Sequence, residues 1–289
     1  MSDIYKQAFE LFSSVIKKYP KLLVPLAVQM RKAHMAIPAE HWAAFSIFAG
    51  VLAFIVSIIF AILFAIALHI GLIAILIVPL LSIGIGFGSG ALVYFYPAIT
   101  ADERKKRIEN ALAFGTLYLA ALARAGFPLQ QMFKLMSNFK EYGELSKEAG
   151  KISNDIEALG LDAPTALTRA INRSPSSAWS ELLVGLKTSM TVGGNLAKYL
   201  DEKADGFVSD YRRRLSEFSE FLSMLIEIYI TLVVVGVIFF IVITSIMSSI
   251  GAVPVPFLKT INMLVVTIGI PILTAAFIII AKGASPLED

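Results

Sequence analysis

The residues that could carry out chemistry in this chain are few and scattered. Its 289 residues include only three histidines, His34, His41 and His69, and no cysteine. His34 and His41 lie seven residues apart, but only Glu40 stands beside them as a further ligand. We therefore expect no metal site. Without cysteine, disulfides and thiol chemistry are excluded.

The sequence signatures of common enzymes are also missing. No G-x-x-x-x-G-K-[ST] sequence occurs, so the chain is not itself a P-loop ATPase, and G-x-S-x-G and H-E-x-x-H are absent too. We therefore expect neither a cofactor nor an enzymatic activity. The formal charge of +3 is small and scattered, so we also expect no nucleic-acid partner.

Two basic clusters stand beside long apolar stretches. One is Arg104, Lys105, Lys106 and Arg107, and the other is Arg212, Arg213 and Arg214. Such clusters set membrane topology and bind anionic lipid head groups. They could also dock a partner protein, and the sequence leaves both interpretations open.

Three polar residues, Glu227, Tyr229 and Thr231, lie within an otherwise apolar stretch that begins near residue 220. An ionisable side chain inside a membrane is costly unless it is paired or hydrated, so Glu227 is a functional hypothesis. If the helix enters the membrane later along the chain, Glu227 lies at the interface instead.

Two groups of glycines have structural meaning. Gly193 and Gly194 precede a long helical pattern, where they form either a hinge or a helix stop. Gly84, Gly86, Gly88 and Gly90 alternate, which gives the small-xxx-small pairs 84/88 and 86/90. Such pairs allow close helix packing in lipid.

The elements that hold these residues are mostly membrane helices. The chain is 57% hydrophobic and 16% charged, and about 20 apolar residues suffice to cross a bilayer. We predict a hairpin at 42–97 with spans 43–68 and 71–97, turning at His69-Ile70-Gly71. A second hairpin at 220–283 has spans 220–250 and 257–281, separated at Gly251 to Pro256.

Lysine and arginine residues orient these four spans. They flank the hairpins at Arg31-Lys32, at the two basic clusters and at Lys282, whereas the two hairpin loops offer only His69 and Lys259. The positive-inside rule therefore places both termini, the central block 98–219 and the tail 284–289 in the cytoplasm. The chain is predicted to be a multi-pass protein of the cell membrane.

The N-terminal segment, residues 1–41, carries an amphipathic pattern. Its apolar stripe packs either on the protein itself or on the lipid surface. The stripe comprises Ile4, Ala8, Leu11, Phe12, Val15, Ile16 and Tyr19. Pro20 and Pro25 then bend or break the chain, which favours a second short helix over 24–36.

Glycine and proline divide the central block into helices. The pattern predicts 108–125, 128–140, 142–159, 163–172, 175–191 and 195–218, with Asp162 and Ser174 as N-caps. The last helix runs into the third span without a break. No strand-like alternation occurs, so the fold class is all-α: four transmembrane helices and a cytoplasmic helical bundle between two membrane hairpins.

The ordered series of short motifs resembles the type II secretion F domain and its following span over roughly residues 108–283. The resemblance is closest to the platform proteins of the archaellum and of archaeal type IV-like or tight-adherence pili. It rests on Gly126-Phe127-Pro128-Leu129, Tyr142 to Glu148, Leu159 to Asp162, Pro175-Ser176, Gly193 to Leu196 with Tyr199-Leu200, and Glu227 to Val233.

This resemblance implies a non-enzymatic membrane platform for filament assembly. A hexameric cytoplasmic secretion ATPase would act on it in trans, and pilin- or archaellin-type subunits would be inserted into the filament there. Larger relatives carry the F domain twice and this chain once, which implies a homodimer or a heterodimer with a paralogous platform chain. The alternative is a small ion or solute transporter or channel that uses Glu227.

Overall fold

The computed structural model of this chain describes residues 2–18, 20–67, 73–251 and 253–284. Every regular element within these ranges is a helix. Four helical stretches are long and apolar enough to cross a membrane, so the predicted all-α, multi-pass fold class is confirmed. The predicted turn at His69-Ile70-Gly71 and the tail beyond Ala284 lie outside the described residues.

The chain forms two compact units, Met1–Leu200 and Asp201–Asp289. The first unit contains eight helices and a short 3₁₀ turn at Lys140–Tyr142 among the described residues. The helices are α1 (Ser2–Lys18), α2 (Pro20–Lys32), α3 (Ala39–Ala67), α4 (Ile73–Arg124), α5 (Leu129–Ser137), α6 (Gly143–Glu157), α7 (Ala163–Arg173) and α8 (Ser177–Val192).

The second unit is built from the third and fourth spans. A helical stretch runs unbroken from Leu196 to Ile250, which confirms the predicted continuity of the last domain helix with the third span. It comprises α9 (Leu196–Tyr229), a π turn (Ile230–Val235) and α10 (Gly236–Ile250). The fourth span comprises α11 (Val255–Leu264), a π turn (Val265–Gly269) and α12 (Ile270–Gly283).

Helix α4 is longer than predicted. It runs for 52 residues from Ile73 to Arg124, so the expectation that a new helix begins at Ile108 was wrong. After Pro97 the chain meets no residue that stops a helix until Gly126, whose φ of 80° ends it. The second span and the first helix of the helical domain (residues 98–200) are therefore one element.

Pro97 fixes α3 against α4. Proline has no N–H, so the carbonyl of Val93, four residues earlier, lacks its usual helical donor. The indole Nε1 of Trp42 on α3 donates to this carbonyl at 3.0 Å. The Val93 carbonyl, which Pro97 leaves without a helical donor, thus fixes α4 against α3 through Trp42.

Helices α7 and α8 each begin at a side-chain N-cap, one of which was predicted at the wrong residue. Asp162 accepts a hydrogen bond from the Thr165 N–H at 3.1 Å, so it is the predicted N-cap. Ser174 does not cap α8. The cap is Ser176, whose hydroxyl accepts from the Trp179 N–H at 3.2 Å, because α8 begins at Ser177 and not at Pro175.

The domain core joins α4 to the four helices that follow it. Phe133 of α5 and Trp179 of α8 meet edge to face, with ring centroids 6.2 Å apart. Burying a large apolar side chain contributes about 1.5–3 kcal/mol, so this core holds α4 rigidly to the domain. Fully buried members include Ile108, Leu112, Leu119, Met132, Met136, Leu145, Ile152, Leu167, Leu182 and Leu183.

Candidate functional site

A buried carboxylate, Glu148 of α6, lies at the centre of the largest ionic cluster in the described residues. Its side chain has no solvent exposure. Its oxygens lie 2.9 Å from Arg104 Nη2, 3.1 Å from His34 Nε2 and 3.2 Å from Arg173 Nε. With Glu144 and Asp155, these residues are called the Glu148 cluster below.

Arg104 connects three helices through this cluster. Its Nε donates to Glu144 at 2.8 Å and its Nη2 donates to Glu148, one helical turn further along α6. Its Nη1 donates to the main-chain carbonyl of Lys32, the last residue of α2. One guanidinium on α4 therefore ties α6 to the N-terminal segment.

His34 reaches Glu148 from an unusual backbone position. The N–H of His34 donates to Arg31 and that of Met35 donates to Met30, which is the Schellman arrangement at the end of α2. His34 has a φ of 57°, in the left-handed region that glycine or asparagine usually fills there. A side chain in this conformation costs about 1–2 kcal/mol, which the contact with Glu148 offsets.

Arg173 brings α7 into the same cluster. Its Nε donates to Glu148 at 3.2 Å and its Nη1 donates to Asp155 at 2.7 Å. Asp155 also lies 3.7 Å from Nη1 of Arg169. The cluster therefore joins α4, α6, α7 and the end of α2 through charged groups.

The electrostatics keep Glu148 ionised. Burial by itself raises the pKa of its carboxyl, but the hydrogen bond and electrostatic attraction from His34, together with the positive charges of Lys151 and Arg173, outweigh burial. The pKa falls from 4.5 to about 2. A carboxylate that stays charged at neutral pH and is fully paired holds helices together, and it is not poised for proton transfer.

Arg104 was predicted to lie on the surface with the rest of its basic cluster, but the structure buries it. Its guanidinium is paired with Glu144 and Glu148, so it is less available to a partner or a lipid head group than the rest of the cluster. Lys106 and Arg107 are exposed, Lys105 is half-buried, and Lys106 lies 3.3 Å from Asp102. The sequence held a signal: Arg104, Ile108 and Leu112 share one helical face.

The second basic cluster lies on the surface of α9. Arg212 and Arg213 are exposed and Arg214 is half-buried. Arg213 Nη2 lies 3.4 Å from Asp210, one turn earlier. These side chains are accessible to a partner or to lipid.

The polar group in the third span is divided between two environments. Glu227 and Thr231 are exposed, and Glu227 forms no hydrogen bond or ion pair within the described part of the chain. Tyr229 instead faces the fourth span, where its hydroxyl lies 3.1 Å from Thr274 Oγ1 and its ring 4.8 Å from that of Phe277. Tyr229 therefore holds the second hairpin together.

Only half of the alternating glycines pack helices. A Cβ at Gly86 would lie 2.7 Å from the Cβ of Phe54, and one at Gly90 would lie 3.4 Å from the Cα of Gly50. A Cβ at Gly84 or Gly88 would meet no atom within 4 Å among the described residues. The 86/90 pair thus faces α3, and the 84/88 pair faces away from it.

Gly193 and Gly194 end α8. Gly193 is the C-cap with a φ of 80°, and the N–H of Gly194 donates to the Ser189 carbonyl at 2.7 Å. This geometry is that of a helix stop. Hinge motion at this position remains a prediction.

The N-terminal segment packs on the protein itself. The ring of Tyr5 lies 6.1 Å from that of Trp42 and 4.8 Å from that of Phe45. Phe9 stacks on His41 at 4.6 Å. Helix α1 thus covers the start of α3, and His34 and His41 have packing and ion-pair roles.

These features define a class of protein: a multi-pass membrane protein whose helical domain is continuous with its spans. Comparison with known families makes the class specific. Residues 116–244 match the family model described as type II secretion system (T2SS), protein F. This match over 116–244 confirms the resemblance to the type II secretion F domain that the motifs indicated.

Three curated relatives, all from Methanocaldococcus jannaschii, are similar to parts of this chain. One, named flagella accessory protein J, is 28% identical over 142 residues, or 47% of this chain and 24% of its own length. Two uncharacterized proteins are 27% and 29% identical, over 55% and 66% of this chain. The chain spans 27% and 56% of their respective lengths. No solved structure matches.

Proposed function

We propose that this chain is the integral membrane platform of an archaeal type IV-like pilus or archaellum assembly machine. In this proposal it couples a hexameric secretion ATPase, bound in trans, to insertion of pilin-type subunits into the filament. The observation that carries the proposal is the F-domain match over residues 116–244, which covers most of the helical domain and continues into the third span. The similarity to a flagella accessory protein supports it.

Helix continuity suits a part that transmits mechanical work. Helix α4 extends for 52 residues and the Leu196–Ile250 stretch for 55. At 1.5 Å per residue these are rods of roughly 80 Å. Each passes from polar sequence into a span without a flexible loop, so a displacement of its polar end moves the span with it.

The placement of charge supports a cytoplasmic helical domain and cytoplasmic termini. Exposed lysine and arginine residues flank the spans, as the positive-inside rule requires. In the proposal, Lys105, Lys106, Arg107 and Arg212 to Arg214 contact the ATPase or lipid head groups. Arg104 is not part of that surface, because it is paired inside the protein.

A dimer supplies the second F domain in this proposal. The family model matches this sequence once. A two-fold homodimer, or a heterodimer with a paralogous platform chain, places two such domains below one ATPase ring. Mass measurement of the assembly in detergent checks this: a mass of one chain per particle contradicts the dimer.

Co-purification tests the proposal. The tagged full chain, extracted with mild detergent, is expected to capture an ATPase and a pilin-type protein that mass spectrometry identifies. Reversing the charges of Arg212, Arg213 and Arg214 to glutamate is expected to weaken ATPase capture. The matched control reverses Lys140, Lys187 and Lys198. Equal ATPase capture by both triple variants would leave topology as the role of the arginine cluster.

A transporter is the second candidate, favoured by the exposed Glu227, which has no partner within the described residues. Its test is solute or ion flux into liposomes that contain the purified chain and no ATPase. Flux that Glu227→Gln abolishes would favour the transporter over the platform.

A further inference from the structure

A pocket rich in arginine lies in the first unit, beside the Glu148 cluster. It has a volume of about 460 Å³ and is called the arginine pocket below. Its lining is contributed by the end of α2, α6 with the turn that follows it, and α7: Arg31, Asp155, Leu159, Arg169, Asn172 and Arg173. We propose that this pocket binds the phosphate group of an anionic ligand.

The charges in the pocket are not balanced. Three guanidinium groups face one carboxylate, that of Asp155. Asp155 is already bonded to Arg173 Nη1 at 2.7 Å, and it lies 3.7 Å from Arg169 Nη1. Arg173 is also paired with Glu148 at 3.2 Å, so the charges that remain for an incoming anion are those of Arg31 and Arg169.

Arg31 is the most available of the three arginines. It is exposed, and within the described residues it forms no ion pair or hydrogen bond from its side chain. Arg169 is about half exposed, with 54% of its side chain accessible, so its guanidinium keeps free donors beyond the long contact with Asp155. Both can turn toward a ligand without breaking a short internal bond.

Arg173 provides the fixed side of the pocket. Its Nε and Nη1 are held by Glu148 and Asp155, while its Nη2 is buried and has no acceptor among the described residues. Its charge is therefore positioned but not fully satisfied.

Phosphate suits this donor set better than a carboxylate ligand does. A guanidinium presents paired N–H groups that match two oxygens of one phosphate, and three or four phosphate oxygens can satisfy several arginines at once. The amide of Asn172 adds a neutral donor. The pocket volume exceeds that of one phosphate group, so it also accommodates part of the group that carries it.

The position of the pocket allows two sources for this phosphate. Arg31 immediately precedes Lys32, whose carbonyl accepts from Arg104. Arg104 lies seven residues after Pro97, the predicted end of the second span, which is about 10 Å along a helix. The pocket is thus near the lipid head groups, yet it is also open to a soluble phosphate compound.

Binding at this site connects α2 to α7. Arg31 belongs to the N-terminal segment, whereas Arg169 and Asn172 belong to the F domain. A bound phosphate bridges them, so occupancy strengthens the attachment of the N-terminal segment. This inference does not depend on the proposed platform function.

The test uses the full chain in a neutral detergent and in nanodiscs. The soluble arm titrates pyrophosphate by isothermal calorimetry in detergent. The lipid arm measures, by native mass spectrometry, how much phosphomonoester lipid is retained from nanodiscs of otherwise zwitterionic lipid. The test variant is Arg31→Gln with Arg169→Gln. The charge-matched control is Lys140→Gln with Lys198→Gln, two exposed residues outside the pocket.

We expect at least one phosphate probe to bind the wild type and the control equally. The test variant should bind about tenfold or more weakly, since it loses charge-assisted hydrogen bonds from two arginines. Binding in the soluble arm alone identifies a soluble phosphate ligand, and binding in the lipid arm alone identifies a head group.

Two results would overturn the inference. One is that neither probe binds the wild type, and the other is that the test variant binds as tightly as the control. Circular dichroism verifies that each variant is folded. If the double variant does not fold, Arg31→Gln alone carries the same test, because the Arg31 side chain has no partner to lose within the described residues.

Discussion

Replacing Glu148 by glutamine tests whether the buried cluster holds the helical domain together. The substitution keeps the size and shape of the side chain and removes its charge. Arg104, Arg173 and the neighbouring Lys151 then remain in place without their common counter-ion. The expected result is a large loss of stability in the domain, with little change in its helix content.

The magnitude follows from the pKa of the carboxyl. A fall from 4.5 to about 2 corresponds to about 3 kcal/mol of stabilisation by the ionised form. Breaking a buried ion pair on one side typically costs about 3–5 kcal/mol. We therefore expect Glu148→Gln to lower the free energy of unfolding of the domain by about 3 kcal/mol.

The assay is denaturant unfolding in detergent, followed by the fluorescence of Trp179. A Trp42→Phe background makes Trp179, which is buried in the domain core, the only indole. The control is Glu157→Gln on the same helix. Glu157 is an exposed partner of Lys134 at 3.0 Å, so its loss should change stability little.

The pH dependence gives an independent check. The pKa of Glu148 is lower in the folded state than in the unfolded state, so its stabilisation is complete above about pH 4.5. It is lost as the pH falls from about 4.5 toward about 2, and Glu148→Gln should remove this part of the acid dependence. The reasoning is refuted if Glu148→Gln and Glu157→Gln have equal stability at pH 7.

Three smaller perturbations test the local packing. Gly86→Ala should destabilise the first hairpin by about 1–3 kcal/mol in detergent unfolding, because the new Cβ would lie 2.7 Å from the Cβ of Phe54. Gly88→Ala is the control and should leave the stability of the hairpin unchanged, because its Cβ would meet no atom within 4 Å among the described residues. Ser176→Ala should lower the free energy of unfolding of the domain by about 1 kcal/mol, because α8 loses its N-cap. Asparagine caps a helix as well as aspartate does, so Asp162→Asn should change this free energy little, and a cost similar to that of Ser176→Ala would contradict the capping geometry of α7. Tyr229→Phe should cost the second hairpin roughly 0.6 kcal/mol, and no change in its thermal midpoint would contradict the bond to Thr274.

Much of the fold was predictable because glycine, proline and capping residues mark the ends of the helices in the sequence. The four spans follow from apolar length, and most helices of the domain end at glycine or at a proline with a capping residue. Asp162 is an example in which the cap, the following Pro164 and the observed bond to Thr165 agree. Ser174 was misassigned because Ser176, two residues later, offers the same hydroxyl after the proline.

The charged cluster was not predictable in the same way. Glu144 and Glu148 lie 40 and 44 residues after Arg104, so no sequence window contains the pairing. In the charge-rich sequence of the central block, nothing near Glu148 distinguishes this buried residue from the exposed Glu157. Only the helical phase of Arg104 with Ile108 and Leu112 indicated that the arginine points inward.

The glycine pattern shows a second limit. The spacing predicts that two pairs can support close packing, but α3 is apolar on every side. Its sequence therefore does not reveal which face meets α4. The structure resolves the choice through Gly50, which meets Gly86 and Gly90.

The most direct measurement of the central claim is the number of surface filaments on cells that lack this chain. The gene is deleted in its native organism together with any paralogous platform gene, and filaments are counted by electron microscopy with and without a plasmid copy of the chain. The platform account predicts cells without the filament and recovery of filaments with the plasmid copy. Normal filament numbers in the deletion strain would contradict it.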